Sequence, residues 1–326
     1  MTAQIYPPIS NHQSPVTGSK CLYLLRFPIL VGASISFALF SAAAQTPDQS
    51  AKLQISGSEI DVAFQSPVSN TLRELVLNRI NLSARGIVNY YGRFPVEKVT
   101  ITVTPQFGRG INGGHASGWN GAQIRFSVGR QSTPADFAED WITTHEMVHL
   151  AFPSQEERHH WIEEGQAVYI EPVARARIGE LTPEKVWGDM VRDMPQGEPA
   201  EGDRGLDFTP TWGRTYWGGA IFCLLADVQI REQTHNHKGL EDALRAVLAQ
   251  GNIESEWPLE RAIAIGDRAT GVTVLHDLYE QMKATPVTVD LNGLWKRLGV
   301  QQQNGRIVFD DSAPLAVIRK AITRGD

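Results

Sequence analysis

Hydrophobic and polar positions alternate in two brief segments within Lys52–Phe64, so the first regular elements are expected to be two short strands. The period then lengthens. Leu72, Leu75, Leu77, Ile80, Leu82 and Ile87 recur at helical spacing over residues 69–91, and Pro95 closes that helix. Val99–Val103 alternates and is rich in β-branched residues, which reads as a strand. Residues 108–121 hold six glycines and read as a loop, and Ala122–Val128 is again a strand. From Thr133 the pattern is helical. Thr133-Pro134-x-Asp136 is a helix start, with a capping hydroxyl, proline at the first position and an acid three residues on. One helix is expected from there through Phe137, Trp141, Ile142, Val148 and Leu150, stopping near Pro153. A second should run from His160 to Arg177, and a turn-rich acidic loop follows at Pro195–Pro210. Tyr216–Glu232, Gly239–Leu248, Trp257–Ile265, Val272–Met282 and Leu291–Leu298 also read as helices. A short strand at Arg306–Phe309 and a closing helix at Ala316–Ile322 complete the series. The expected class is α+β, with a β-rich lobe over 45–133 and a helical lobe over 134–326.

The N-terminus changes the picture. Lys20 and Arg26 precede an apolar run, Phe27–Phe40, and then Ser41-Ala42-Ala43-Ala44. Basic flank, apolar core and small-residue site are the order of a secretory signal, so residues 1–44 are expected to direct export to the periplasm or the outside. An uncleaved membrane anchor is the alternative, since Phe27–Ala44 is almost long enough to span a bilayer. Removing 1–44 leaves 28 Lys+Arg against 36 Asp+Glu, a formal charge of -8, and no nucleic-acid surface is expected. Cys21 leaves with that segment. Cys223, alone in the apolar run Ala220–Ala226, is then a buried core residue with no disulfide partner. At 42% hydrophobic and 20% charged, the chain is globular rather than disordered.

The candidate chemistry lies in His145-Glu146-Met147-Val148-His149. Residues four apart share a helix face, so both imidazoles can bind one metal ion. Glu146 stands beside them as a base for a metal-activated water. A catalytic zinc commonly takes three protein ligands and leaves a fourth position open. The next helix offers Glu163, Glu164 and Glu171 as rivals for the third.

HExxH followed by Trp161-x-x-Glu164-Gly165-x-x-x-Tyr169 resembles the gluzincin peptidases, in particular aminopeptidase N, leukotriene hydrolase and glycyl aminopeptidase. The resemblance spans roughly Lys98–Ile322 and implies a reduced, thermolysin-like two-lobed catalytic unit with one zinc per chain. It makes Glu164 the third ligand, with 14 residues between it and His149, a shorter interval than in the well-known members. Glu171 matches a position that supports a zinc-binding imidazole from behind. Tyr216-Trp217-Gly218-Gly219 looks like the tyrosine-led helix of the glycyl aminopeptidase group, so Tyr216 is expected to stabilise the oxyanion. The substrate-facing edge strand matches Gly113, Gly114, His115 and Ala116, a stretch without the carboxylate that anchors a free α-amine in the aminopeptidases. The expected activity is therefore zinc-dependent peptide-bond hydrolysis, with endopeptidase action favoured over aminopeptidase action. A zinc-containing peptide-binding protein without catalysis is the rival from another class, and retention of Glu146 speaks against it. The chain is expected to act as a monomer on a peptide or protein substrate. Two further expectations concern the surroundings: the loop Gln196–Pro210 either closes over the cleft or is a plain connection, and Arg214 or Arg245 could meet a substrate carboxylate.

Overall fold

Strand β1 (Ser50–Ile55) turns back through Ser56 and Gly57, both at positive φ, into β2 (Ser58–Phe64), which buries every second side chain. A computed structural model of the chain describes residues 49–324, so the expected signal segment lies outside the described residues. Helix α1 (Asn70–Tyr91) starts where the Ser69 hydroxyl accepts from the Leu72 amide and ends on Gly92 at φ 79°. It lays Val76, Ile80, Ala84 and Ile87 into the core. Strands β3 (Lys98–Gln106), β4 (Ile111–Ser117) and β5 (Ala122–Gly129) complete a five-stranded sheet in the order β1-β2-β3-β5-β4. The β2–β3 and β3–β5 pairs are parallel, and β4 runs antiparallel to β5 as an edge strand.

The edge strand corrects the loop expected over residues 108–121. Glycine weakens a strand, but the ladder offered by β5 holds residues 111–117 extended, and Gly113 at φ 56° sits in a bulge where the register shifts.

The single helix expected from Thr133 to Leu150 is also corrected. Thr133 and Asp136 do start a helix, the Thr133 amide donating to the Asp136 carboxylate at 2.7 Å, but α2 (Pro134–Ala138) is one turn long. The chain restarts at α3 (Ile142–His149), because the Asp140 carboxylate accepts from the amides of Ile142 and Thr143 at 3.0 and 3.3 Å. A second cap within the run outcompetes helix continuation.

Helix α4 (His160–Arg177) matches the expectation, whereas α5 (Pro183–Asp193) was not foreseen. Its signal is the one used at Thr133: Thr182 caps the Lys185 amide and Pro183 takes the first position. A π-helical turn, Gly213–Gly218, leads into α6 (Gly219–Gln233). After it come α7 (Leu240–Leu248), α8 (Leu259–Thr270), α9 (Val274–Met282) and α10 (Leu291–Leu298). The chain closes with the hairpin β6 (Val300–Gln303) and β7 (Arg306–Phe309), then α11 (Ala316–Thr323).

Helix α4 is the spine of the helical lobe, packed on α1, α3, α6 and α11. A methyl group on Gly165 would overlap the backbone of Gly219, so the two helices touch main chain to main chain there. Asp227 fastens the same pair. Fully buried on α6, it accepts from the Tyr169 hydroxyl of α4 at 2.8 Å, from Arg231 at 2.7 Å and from the Leu240 amide at 3.0 Å. Cys223 is buried on α6, as expected. No described helix is long and apolar enough to cross a membrane.

Candidate metal centre

Helix α3 carries His145, Glu146 and His149, and α4 crosses it with Glu164. One ligand atom from each of His145, His149 and Glu164 lies within 4.8 Å of the others. Glu164 Oε2 is 3.1 Å from His145 Nε2 and 3.7 Å from His149 Nε2. Two imidazole nitrogens and a carboxylate oxygen converging on one point fit a single zinc ion with an open position.

His149 and Glu164 have charge states that suit ligation, and His145 would give up a proton to a metal. Burial drives the His149 imidazole down to about 4, keeping it neutral and able to offer a lone pair. Burial also opposes charge on His145, but the hydrogen bond and charge of Glu164 outweigh it and hold the ring above its usual range. Burial would raise Glu164 too, yet the surrounding imidazoles, His149 foremost, keep it ionised well below the usual carboxylate range.

Behind the ligands lies a buried ionic layer. Arg79 of α1 reaches Asp140 at 3.2 Å, Glu180, and the Thr144 hydroxyl at 2.8 Å. Arg175 of α4 joins Glu171 at 2.7 Å and Glu180 at 2.9 Å. Three carboxylates against two guanidiniums leave this layer net acidic next to the metal site. Glu171 stands in that layer, burial raising its carboxyl and Arg175 opposing, and its charge acts on His145. The Nδ1 of His145 is buried without a hydrogen-bond partner, and Glu171 bonds Arg175 instead.

Glu146 is buried beside the ligands with its carboxyl turned to the edge strand. Burial pushes it up to about 7, and the Ala116 amide, donating to it, works in the opposite direction. Gly114 makes this approach possible: a methyl group there would sit 2.6 Å from the Glu146 Cγ. Gly114→Ala should leave the fold intact but displace Glu146, lowering turnover on the order of 10²-fold. A turnover assay paired with circular dichroism checks this. His115, on the same strand, is exposed.

Tyr216 comes from the π-helical turn. Its ring stacks on His145, with centroids 6.5 Å apart, and on Trp212 at 6.0 Å. Burial, then the charges of Glu164 and Glu146, push the phenol far above its usual range, so it is a neutral donor bonded to Glu164. Such turns recur where a helix must deliver one side chain to a site. Gly197 and Gly213 let the preceding loop lie directly against this turn.

That loop is not a free lid. The Asp207 carboxylate is buried beneath it and accepts from Trp161 Nε1 at 2.8 Å and from the Tyr279 hydroxyl at 3.0 Å. Trp161 and Tyr169 of the motif thus serve as anchors, one to the loop and one to α6. Arg214 is buried and donates to the Gly197 carbonyl, while Arg245 caps the end of α1 through the carbonyls of Tyr90 and Asn89 at 2.8 and 3.1 Å. Arg245 is taken up by these carbonyls, whereas the Nε and Nη2 of buried Arg214 have no hydrogen-bond partner. Glu163 accepts from the Gln155 amide at 3.2 Å.

No protein-family model matches the chain, and none of the curated proteins matches it in sequence. Among solved structures it is similar to an aminopeptidase N family protein from Idiomarina loihiensis, with TM-score 0.59 and 14% identity over 78% of this chain and 50% of that one. The chain has that protein's fold. An M1 zinc metallopeptidase from Deinococcus radiodurans matches at TM-score 0.49 and 12% identity, over 74% of this chain and 52% of that one. The chain spans about half the length of each of these solved structures. The β-rich lobe and the helical lobe expected from the sequence are both present, the first as a mixed sheet.

Proposed function

We propose that this chain is a zinc peptidase that hydrolyses peptide bonds with a water molecule activated at His145, His149 and Glu164. The observation that carries this reading is the convergence of those three ligand atoms beside a buried, proton-accepting Glu146 that faces an open edge strand. A bound zinc ion would supply Lewis acidity, polarising a carbonyl oxygen and making water a better nucleophile near neutral pH.

The chain's own groups account for the rest. Glu146 takes a proton from the attacking water and returns it to the departing amine as the C–N bond breaks. Tyr216, neutral and close to the ligands, donates to the oxygen that gains charge in the transition state. Strand β4, unpaired on its outer side, offers backbone groups to an extended peptide, and Gly113, Gly114, His115 and Ala116 line that approach. Glu171 keeps the charge beneath His145 negative, which favours a cation above it.

Endopeptidase action is the favoured form, because residues 113–118 bring no carboxylate to hold a free amine. Aminopeptidase action draws on the fold likeness to an aminopeptidase N family protein and would need another anchor. Export through removal of residues 1–44 and action as a monomer complete the proposal.

Metal removal tests it. A strong chelator should abolish peptide cleavage and lower the Tm, and one equivalent of zinc should restore both, since an ion that binds only the folded state stabilises it. Cleavage unaffected by exhaustive chelation would refute the proposal.

A further inference from the structure

His160 opens helix α4 and plays no part in the motif that points to the metal site. Its two ring nitrogens face two carboxylates of its own helix: Nδ1 lies 3.3 Å from Glu163 Oε2, and Nε2 lies 3.3 Å from Glu164 Oε1. Positions three and four residues on share its helix face, so the contact follows from helix geometry. The two oxygens of Glu164 are thereby given different neighbours. Oε2 faces inward to His145 and His149 at 3.1 and 3.7 Å, and Oε1 faces outward to His160. The His160 side chain is 46% exposed, so it contributes little to the core, unlike Trp161 beside it.

We propose that His160 is a positioning residue for the metal site, its Nε2–H holding the outer oxygen of Glu164 so that only the inner oxygen is offered to the metal. This inference rests on the zinc-peptidase reading and adds to it. A carboxylate free to pivot can offer both oxygens or turn away, and a hydrogen bond to its distal oxygen prevents both. Held in this way, Glu164 would give a bound zinc one oxygen only and so keep a position open for water, which a hydrolytic site needs and a structural site does not.

The test measures zinc affinity by competition with a chromophoric chelator on the whole protein, together with the Tm of the metal-free form. His160→Ala should weaken zinc binding about 10- to 100-fold, the range lost when a partner behind a ligand is removed. The metal-free Tm should stay unchanged, because the side chain lies near the surface. His160→Gln, which can still donate to Glu164 from the same helix position, should recover most of the affinity. Glu163→Gln should leave zinc binding as it was, since His160 acts through Glu164. Zinc affinity in His160→Ala within twofold of the parent would overturn the proposal, as would an equal loss in Glu163→Gln. A parent protein that binds no zinc at all would overturn the peptidase reading and this inference with it.

Discussion

Replacing Glu146 by glutamine should lower peptide hydrolysis on the order of 10³- to 10⁴-fold while zinc content stays near one per chain. The amide keeps the size of the carboxylate and can still accept from the Ala116 amide, so neither the edge strand nor α3 has cause to move. Only the capacity to take a proton is lost. Burial has raised the native carboxyl to about 7, which matches a group that must both accept and release a proton near neutral pH. Turnover and metal analysis on the same preparation separate the possible outcomes. Loss of turnover with metal retained assigns the base, whereas unchanged turnover would remove Glu146 from the reaction and with it the proposed mechanism.

The second large effect is on stability. Asp227 is wholly buried, and its two oxygens serve the Tyr169 hydroxyl, the Arg231 guanidinium and the Leu240 amide. Asp227→Ala would leave a buried guanidinium without this partner and two further donors unmet. Breaking one side of a buried ion pair costs about 3–5 kcal/mol. In a chain of this size that corresponds to a fall in Tm on the order of 10 °C. The same change should loosen α4 against α6, the two elements that bring Glu164 and Tyr216 together, so activity should fall with stability. Thermal unfolding followed by circular dichroism measures it, and a shift under about 1 °C would show that the Gly165–Gly219 contact holds the helices without Asp227.

Much of the candidate site was legible in the sequence because its geometry is local. His145 and His149 share a face by spacing alone, and Glu164 lies on a helix whose hydrophobic period is plain. The strands β2, β3 and β5 were legible for the same reason, each alternating or β-branched throughout. The rest depended on partners distant in sequence. Strand β4 is glycine-rich and extends because β5 pairs with it, which no local propensity reports. Asp140 breaks the expected long helix, and its role is set jointly by the amides it caps and by Arg79, 61 positions earlier in the chain.

The supporting acids escaped notice on similar grounds. Asp207 and Asp227 look like loop and helix-surface residues, and only the packing of α4 reveals what they hold. His160 could have been found, since it precedes Glu164 by one helical turn, but a histidine at the start of a helix has many uses. Helix α5 was findable as well: Thr182-Pro183 repeats the start signal at Thr133-Pro134, and Val186, Trp187 and Met190 supply its buried side. The orientation of Glu171 was less accessible, because it follows from Arg175, which donates to Glu171 and Glu180 together.

The central claim, zinc-dependent peptide hydrolysis at His145, His149 and Glu164, is tested most directly by exposing the purified zinc-loaded protein to a mixed peptide library. Half of the peptides carry blocked amino termini, and the products are read by mass spectrometry. The account predicts internal cuts, equally fast in blocked and free peptides, that vanish on chelation and in the Glu146→Gln variant. Release of single residues from free termini only would keep the zinc chemistry and replace endopeptidase by aminopeptidase action. No cleavage of any peptide by a protein that retains one zinc per chain would contradict the account.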